Sequence, residues 1–207
     1  MLSNENLTEF TNQVASDSPA PGGGSVAALS GSLSAGLLVM FCQLTVGKEK
    51  FSHVEAEVKQ VCEEAEELKD FFLKAIDRDT EAFNEVMKAF KLPKNTEKEK
   101  QERKEAIQAG FKEAASVPFE MAESSLKVME KARDVVAKGN PNAITDLGVC
   151  ADMALSAFRG AKKNVRINLG SIKDEGFVKE HEEKLEELER EIEVLYEEIN
   201  DKVESEL

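Results

Sequence analysis

The decisive stretch of this sequence runs from Pro19 to Gly47 and reads PAPGGGSVAALSGSLSAGLLVMFCQLTVG. Two prolines disfavour a helix at its start, and three glycines permit backbone conformations that other residues avoid. Ser25 is a residue type that often occupies the N-cap of a helix. We therefore predict a loop that leads into a central helix from about Ser25 to Val46, with Gly47 ending that helix.

The glycine loop is a candidate binding site. The first turn of a helix has free backbone N–H groups and the positive end of the helix dipole, so it can bind an anion or a polarised carbonyl without a cationic side chain. On this ground Gly22, Gly23, Gly24 and Ser25 are candidate substrate-binding residues. The alternative is a tight turn that lets the next helix pack closely, and a glycine triplet alone does not separate the two.

The predicted central helix lies in a segment, residues 18–47, that carries no charge. The segment is long enough to span a bilayer, but its serines, glycines, Gln43 and Thr45 dilute the apolar content. We expect the central helix of a soluble bundle, without membrane contact. Its small residues would let helices of the same chain or of a partner subunit approach closely, and they are Ala27, Ala28, Gly31, Ala35 and Gly36.

The rest of the chain also favours helix. Its 207 residues include 5 prolines, 1 tyrosine and no tryptophan, and apolar residues recur at steps of three and four. We expect an all-α fold, a single domain over residues 1–207 built as a bundle of long antiparallel helices. Thr96 and Glu99 match a capping box, and Pro118 is expected to kink or split the helix that follows. The predicted helices span about residues 2–14, 25–46, 52–91, 97–137, 143–169 and 175–206.

The charge of the chain is unevenly distributed. The net charge is −14, of which residues 174–207 carry −11 and the other residues only −3. Residues 173–207 are therefore predicted to form an acidic amphipathic helix on the outside of the bundle. An acidic balance without a basic stripe argues against nucleic acid and anionic membrane surfaces as partners.

The cysteines and histidines suggest neither disulfides nor a metal site. Cys42, Cys62 and Cys150 are odd in number and widely spaced, as expected for reduced thiols in a cytoplasmic protein. His53 and His181 lack a metal-binding spacing, so we expect no metal.

One carboxylate, Asp79, interrupts an apolar stripe. At 100° per residue Asp79 falls within the stripe, whereas Asp77 lies off it. A carboxylate directed at a core is costly unless it is paired, hydrogen-bonded or protonated. Asp79 is therefore a candidate catalytic residue, and the alternative is a structural carboxylate that caps a helix or meets a lysine. The stripe comprises Phe72, Ile76, Phe83, Val86 and Phe90.

A polar seam runs along the predicted helix at residues 143–169, with Asp146 near its start and Asn164 and Asn168 near its end. Asp146 and Asn168 are about 33 Å apart on a straight helix, so one small ligand cannot touch both within one subunit. The asparagines lie one turn apart and can act as a pair. The alternatives are an ordinary acid in the first turn of a helix for Asp146, and amide bonding to nearby backbone for the asparagines.

Several short motifs occur in an order that resembles one known family. They are PAPGGGSVAA (19–28), GKEKF (47–51), DRDTEAF (77–83), LPKNT (92–96), ASVP (115–118), GN (139–140), TD (145–146) and NVRINL (164–169). Each motif is weak alone. Their ordered combination over roughly residues 10–180 resembles the formiminotransferase-cyclodeaminase C-terminal domain family, including its stand-alone bacterial members.

This resemblance implies an all-helical homodimer that acts on a tetrahydrofolate derivative without a metal or redox cofactor. The implied reaction is that of a cyclodeaminase, a lyase step of histidine degradation that cyclises 5-formiminotetrahydrofolate to 5,10-methenyltetrahydrofolate and releases ammonia. A separate formiminotransferase is an implied partner. The alternative enzyme activity is that of a methenyltetrahydrofolate cyclohydrolase, in which water opens the ring. The alternative outside enzymes is a non-catalytic dimer that binds folate or another protein.

The resemblance also implies roles for the candidate residues. N10 of the folate must lose a proton and the departing nitrogen must gain one, so a carboxyl group of raised pKa can serve as shuttle. Asp79 is the first candidate for this role and Asp146 the second. The glycine loop, the asparagine pair and Asn140 are expected to bind substrate, the first two at the amide edges of the pterin. Lys48 either faces the glutamate tail or is a solvated lysine at a helix end.

Overall fold

The computed structural model describes all 207 residues and contains six α-helices with no strand, which confirms the all-α prediction. Short 3-10 turns precede α1, α3 and α5, at Leu2–Asn4, Glu49–Val54 and Pro141–Ala143. The helices are α1 (Leu7–Val14), α2 (Gly23–Gln43), α3 (Glu55–Phe90), α4 (Glu97–Val136), α5 (Ile144–Leu169) and α6 (Glu175–Glu204).

Helix α2 is the central element, packed between α3 and α5. Helix α4 packs on α3 and α5, and α6 covers α4 and α5. The hydroxyl groups of Ser30 and Ser34 donate to the carbonyls of Met153 (2.8 Å) and Cys150 (2.7 Å), which shows that α2 and α5 run antiparallel. These bonds explain how a helix with several serines can be buried.

By length and composition α2 could cross a membrane, since its most apolar 18-residue window has a mean hydropathy of 1.8. Within the bundle 67% of that window is buried. Gly31 contributes to this close packing, because a Cβ there would lie 2.4 Å from the ring of Phe72. Helix α2 is accordingly built as a core helix, the interpretation that its diluted apolar content favoured.

The N-terminal segment differs from its prediction and explains a second buried carboxylate. The predicted helix at residues 2–14 is broken before Asn6, whose side chain caps α1 by accepting from the N–H of Glu9 (2.9 Å). The preceding 3-10 turn lies on α3, where Asp77 accepts hydrogen bonds from the N–H of Leu2 (2.6 Å) and the hydroxyl of Ser3 (2.5 Å). Asp77 is therefore only 8% exposed, although it lies off the apolar stripe.

Helix α4 begins with the predicted capping box. Thr96 accepts from the N–H of Glu99, and the Glu99 carboxylate accepts from the N–H of Thr96 (3.0 Å). Pro118 lies inside the helix, which continues to Val136 as one element. The alternative of two separate helices at Pro118 is therefore wrong.

Candidate active site

A pocket of about 400 Å³ opens at the start of α2, between the glycine loop, α3, α4 and α5. It is lined by the predicted Gly22, Gly23, Gly24, Asp79, Asn164 and Asn168. Aromatic and aliphatic side chains form the remaining wall, among them Phe83, Met87 and Phe111. A largely apolar cavity with a few convergent polar groups is typical of a small-molecule site.

Asp79 is held against the start of α2. Its carboxylate accepts a hydrogen bond from the hydroxyl of Ser25 (3.1 Å), whose oxygen also lies 3.3 Å from the carbonyl oxygen of Ile76, a second acceptor for the same proton. A Cβ on Gly24 would lie 2.1 Å from Oδ1 of Asp79 and 2.5 Å from its Cγ. The third glycine is thus required for the carboxylate to reach this position.

The prediction that Ser25 is the N-cap of the central helix is wrong. Gly22 holds the N-cap position in an extended conformation (φ −128°, ψ −156°), and the helix begins at Gly23. Ser25 is fully buried in the first turn because its hydroxyl bonds to α3 instead of to its own helix end.

Burial raises the pKa of Asp79 above its ordinary value. The hydroxyl and the backbone N–H of Ser25 oppose this shift, because hydrogen bonds to the ionised form stabilise it. Asp79 is the one charged residue that lines the pocket. A carboxyl group with a raised pKa can hold a proton and release it to a bound substrate.

The amide of Asn168 has a fixed orientation. Its Nδ2 donates to the carbonyls of Ala114 and Asn164, both at 2.8 Å. Because both partners are carbonyl oxygens, the nitrogen must point towards them and Oδ1 is left as a free acceptor. No side-chain polar atom in the protein is both buried and unpaired, so this Oδ1 is accessible, at the surface of the pocket.

Pro118 creates the acceptor that orients Asn168. In an α-helix the carbonyl of Ala114 would accept from the N–H of residue 118, but proline has no N–H. Asn168 from α5 supplies the missing donor. The proline in α4 therefore fixes a polar group of the pocket.

Asn164 is positioned by its own helix. Its Nδ2 donates to the carbonyl of Gly160 at 2.9 Å and lies 3.7 Å from the place where a Cβ of Gly23 would stand. One N–H and the carbonyl oxygen of this amide have no partner in the protein. The two asparagines therefore donate hydrogen bonds to nearby backbone, as the alternative to substrate binding predicted, and they also keep free polar atoms at the pocket.

Comparison with known proteins places the chain in a family. Residues 6–187 match the family described as formiminotransferase-cyclodeaminase. The chain belongs to that family. The match confirms the resemblance carried by the ordered motifs, from the glycine loop to the segment at residues 164–169.

Two relatives match this family member over nearly its whole length. A methenyltetrahydrofolate cyclohydrolase of Methylorubrum extorquens is 41% identical over 205 residues, 99% of each chain. The crystal structure of a formiminotetrahydrofolate cyclodeaminase from Thermotoga maritima has a TM-score of 0.89 and 33% identity, over 99% of this chain and 98% of that one.

A larger relative matches only in part. The formimidoyltransferase-cyclodeaminase of Mus musculus is 34% identical over 176 residues, which are 85% of this chain and 32% of the mouse protein. The matched part of this family member thus spans about a third of the length of that relative.

Ser25, also predicted to bind substrate, is fully buried and does not line this pocket, and three other predicted site residues do not reach it. Helix α2 is about 30 Å long at 1.5 Å per residue. The glycine loop lies at its N-terminal end, and Lys48 follows its C-terminal end. Lys48 is exposed there, as the solvated alternative describes. Asp146 lies in the first turn of α5, half-buried and without a hydrogen-bond partner among the side chains.

Asn140 is the third of these residues, and its contacts are structural. Its Nδ2 donates to the carbonyl of Leu44 (3.1 Å), and its backbone N–H donates to the hydroxyl of Thr45 (3.0 Å). Its Oδ1 caps the following 3-10 turn by accepting from Asn142. Asn140 therefore ties the end of α2 to the start of α5.

Sequence reasoning missed Phe111, Ala114 and the orienting role of Pro118. Phe111 directly follows Gly110, where α3 and α4 approach closely. A Cβ on Gly110 would lie 3.3 Å from Val86. That glycine was the available signal for where α4 meets the pocket.

Proposed function

We propose that this protein is an enzyme of folate one-carbon metabolism, a formimidoyltetrahydrofolate cyclodeaminase. The observation that carries the proposal is Asp79, a carboxyl group of raised pKa in a pocket whose glycine loop leaves room for it. Membership of the family and the similarity to the Thermotoga maritima cyclodeaminase support it.

The proposed reaction needs a proton shuttle. N10 attacks the formimino carbon to form the methenyl bridge, the bond from that carbon to the imino nitrogen breaks, and the nitrogen leaves as ammonia. N10 loses one proton, and the leaving nitrogen gains that proton and one more from solvent. Asp79 takes the proton from N10 and delivers it to the leaving nitrogen, and its raised pKa favours holding the proton between the two transfers.

The other pocket groups position the substrate. Oδ1 of Asn168 accepts from an N–H at the amide edge of the pterin, and Asn164 offers both a donor and an acceptor. The N–H groups at the start of α2 bind a pterin carbonyl. The apolar wall of Phe83, Met87 and Phe111 excludes water and packs against the aromatic rings.

A second reaction is favoured by one specific observation, the 41% identity to the Methylorubrum extorquens cyclohydrolase over 99% of both chains. In that reaction water attacks the methenyl carbon, the bond to N5 breaks and a proton is released. The same carboxyl would serve as the base for water.

The deciding experiment follows both reactions with the purified protein. Ammonia release from 5-formiminotetrahydrofolate identifies a cyclodeaminase, and loss of methenyltetrahydrofolate absorbance above the uncatalysed rate identifies a cyclohydrolase. Turnover of neither substrate would exclude both activities. Calorimetric titration with tetrahydrofolate then tests the non-catalytic alternative.

We further propose that the protein is a homodimer that associates through α2. This helix exposes Val26 and Leu33, the exposed Leu44 directly follows its last residue, and its face carries no charge, so two copies of a chain with net charge −14 can meet there without repulsion. Gly36 lies mid-helix with nothing within 4 Å of where its Cβ would stand. Since a glycine inside a helix costs about 0.5–1 kcal/mol, close approach of a second copy gives it a purpose.

Sedimentation analysis tests this assembly. We expect Leu33→Glu to produce monomers, because the dimer would have to bury a charge. Val194→Glu is the matched control, since Val194 is 58% exposed on α6. A wild-type monomer, or a dimer that tolerates Leu33→Glu, would contradict the proposal. The separate formiminotransferase, the part in histidine degradation, the cytoplasmic location and the independence from metals and cofactors stay predictions.

A further inference from the structure

Thr80 brings a hydroxyl group to the wall of the pocket, one residue after Asp79. Its Oγ1 lies 3.3 Å from Oγ of Ser25, the buried serine whose hydroxyl reaches the carboxylate of Asp79 at 3.1 Å. The three side chains therefore form a continuous row of contacts. Thr80 is the hydroxyl at the pocket, and Ser25 is the buried link between it and the carboxylate.

Thr80 does not form the hydrogen bond that is ordinary for a hydroxyl inside a helix. Thr11 and Ser125 each donate to the carbonyl four residues earlier, at 2.7 and 2.8 Å, which satisfies the hydroxyl within its own helix. For Thr80 the corresponding carbonyl is that of Ile76, and the hydroxyl that reaches this oxygen, at 3.3 Å, belongs to Ser25. The hydroxyl of Thr80 has Ser25 as its one partner in the protein.

The direction of these bonds follows from the number of protons. Ser25 has one hydroxyl proton and three acceptors around it. It gives that proton to the ionised carboxylate of Asp79, since hydrogen bonds to charged groups are the stronger ones. The bond between the two hydroxyls then needs the proton of Thr80. With Asp79 ionised, both hydroxyl protons therefore point towards the carboxylate, and Oγ1 of Thr80 keeps only lone pairs for the pocket.

No charged neighbour takes part in this arrangement. The start of α2 lies in a segment without charge, and α4 and α5 line the pocket with uncharged side chains. On α3 the guanidinium of Arg78 is paired with Glu120 of α4 (2.7 Å), while Asp77 is bonded by the N-terminal turn. The pKa of Asp79 is accordingly set by burial, which raises it, and by the bonds from Ser25, which lower it.

We propose that Thr80 is a positioning residue of the reaction, which supports the proton-accepting form of Asp79 through Ser25 and accepts a hydrogen bond from an N–H of the bound substrate. This role rests on the proposed function, in which the imino nitrogen of 5-formiminotetrahydrofolate carries such an N–H. Hydrogen bonds in a chain of this kind strengthen one another. A bound N–H donor thus stabilises the carboxylate that takes the proton from N10.

The carbonyl of Ile76 gives Ser25 a second acceptor once Asp79 has taken that proton. A neutral carboxyl group is a weaker acceptor than a carboxylate, so the proton of Ser25 can turn to the carbonyl oxygen at 3.3 Å. The buried hydroxyl is therefore paired in both protonation states of Asp79. The carboxyl group can pass through both states without leaving Ser25 unsatisfied, which would be costly in a buried position.

The first test compares Thr80→Val with Thr80→Ser, using the substrate that the protein turns over. Valine keeps the branched shape of threonine and removes the hydroxyl, so kcat should fall about threefold to tenfold, the effect of one lost hydrogen bond. Because the ionised form of Asp79 loses support, its pKa should rise, and the acid limb of the pH profile of kcat/KM should move to higher pH. Thr80→Ser should restore both quantities.

A double-mutant cycle shows whether the effect passes through Ser25. Ser25→Ala should move the acid limb at least as far as Thr80→Val, and Thr80→Val added to Ser25→Ala should move it no further. Thr11→Val is the matched control, since it removes an exposed helical hydroxyl with an ordinary bond and should change neither kcat nor the pH profile. The proposal is overturned if Thr80→Val leaves the acid limb in place, or moves it equally in the Ser25→Ala background.

Failure of the proposed function can be recognised separately, because the chain within the protein needs no substrate. If the wild-type protein turns over neither folate, the carbon-13 signal of the Asp79 carboxyl, identified by its absence in Asp79→Asn, still reports its titration. The midpoint should rise in Thr80→Val, return in Thr80→Ser and stay in place in Thr11→Val. Equal midpoints in the wild type and Thr80→Val overturn the chain whether or not the protein is active.

Discussion

The position of Asp79 against Gly24 allows a direct test of the pocket. In Gly24→Ala the new Cβ would lie 2.1, 2.5 and 2.6 Å from Oδ1, Cγ and Oδ2 of Asp79. Atoms cannot remain this close. Either the backbone moves, or the carboxylate of Asp79 is displaced by about 1 Å or more. A displacement of that size can lower catalysis about 100-fold.

The stability effect has two opposing parts. Alanine inside a helix is favoured over glycine by about 0.5–1 kcal/mol. Displacing the carboxylate breaks the bonds from Ser25, and hydrogen bonds to a charged group are worth about 1.5–3 kcal/mol. The net expectation is a loss of about 1–2 kcal/mol, which lowers Tm by about 2–8 °C for a chain of this size.

The assay measures kcat with the active substrate and unfolding by urea and heat. Gly176→Ala is the matched control, because a Cβ there meets only an ordinary contact of 3.5 Å with Asp174, and it should retain activity and stability. In an Asp79→Ala background the cost of Gly24→Ala should become a gain of about 0.5–1 kcal/mol, since the clash is gone. Full activity in Gly24→Ala, or an unchanged cost in the Asp79→Ala background, would refute the contact.

Further predictions concern Asp79, Pro118 and the cysteines. Asp79→Asn should remain folded and lose about 100- to 10,000-fold in kcat. Because the folded-state pKa of Asp79 is raised, wild-type stability should fall as pH rises from the ordinary aspartate pKa through the raised value, and urea unfolding at a series of pH values should show no such fall in Asp79→Asn. Pro118→Ala supplies an N–H that competes for the Ala114 carbonyl, so KM should rise severalfold with kcat little changed, and the same change in an Asn168→Ala background should have no further effect. Burial raises the pKa of Cys42 and Cys150 to about 12, so a thiol reagent should modify only Cys62 in the folded protein and all three cysteines after denaturation.

The sequence alone was sufficient to predict the long helices, and to predict Asp79 and the glycine loop as parts of the site. Helical periodicity set the bounds of α3 to α6 within a few residues, because each long helix buries one face. Asp79 was found by the same argument, as the polar residue that breaks an apolar stripe. The glycine triplet pointed to the same place, since Gly24 leaves the space that the Asp79 carboxylate fills.

The features that could not be predicted depend on contacts between distant segments. Asp77 is buried by a turn 75 residues earlier in the chain, and periodicity within α3 has no access to that turn. Serine is a residue type that often caps a helix, but the carboxylate of Asp79 competes for the hydroxyl of Ser25. The family resemblance suggested Lys48 as a site residue but carried no information on its distance from the other site residues. The length of α2 places Lys48 about 30 Å from the pocket.

The distribution of acid residues explains how a protein of net charge −14 can offer a site to an anionic substrate. Residues 174–207 carry −11 of this charge, and α6 packs on α4 and α5. Burial and the bonds from Ser25 account for the pKa of Asp79, with no contribution from a carboxylate of α6.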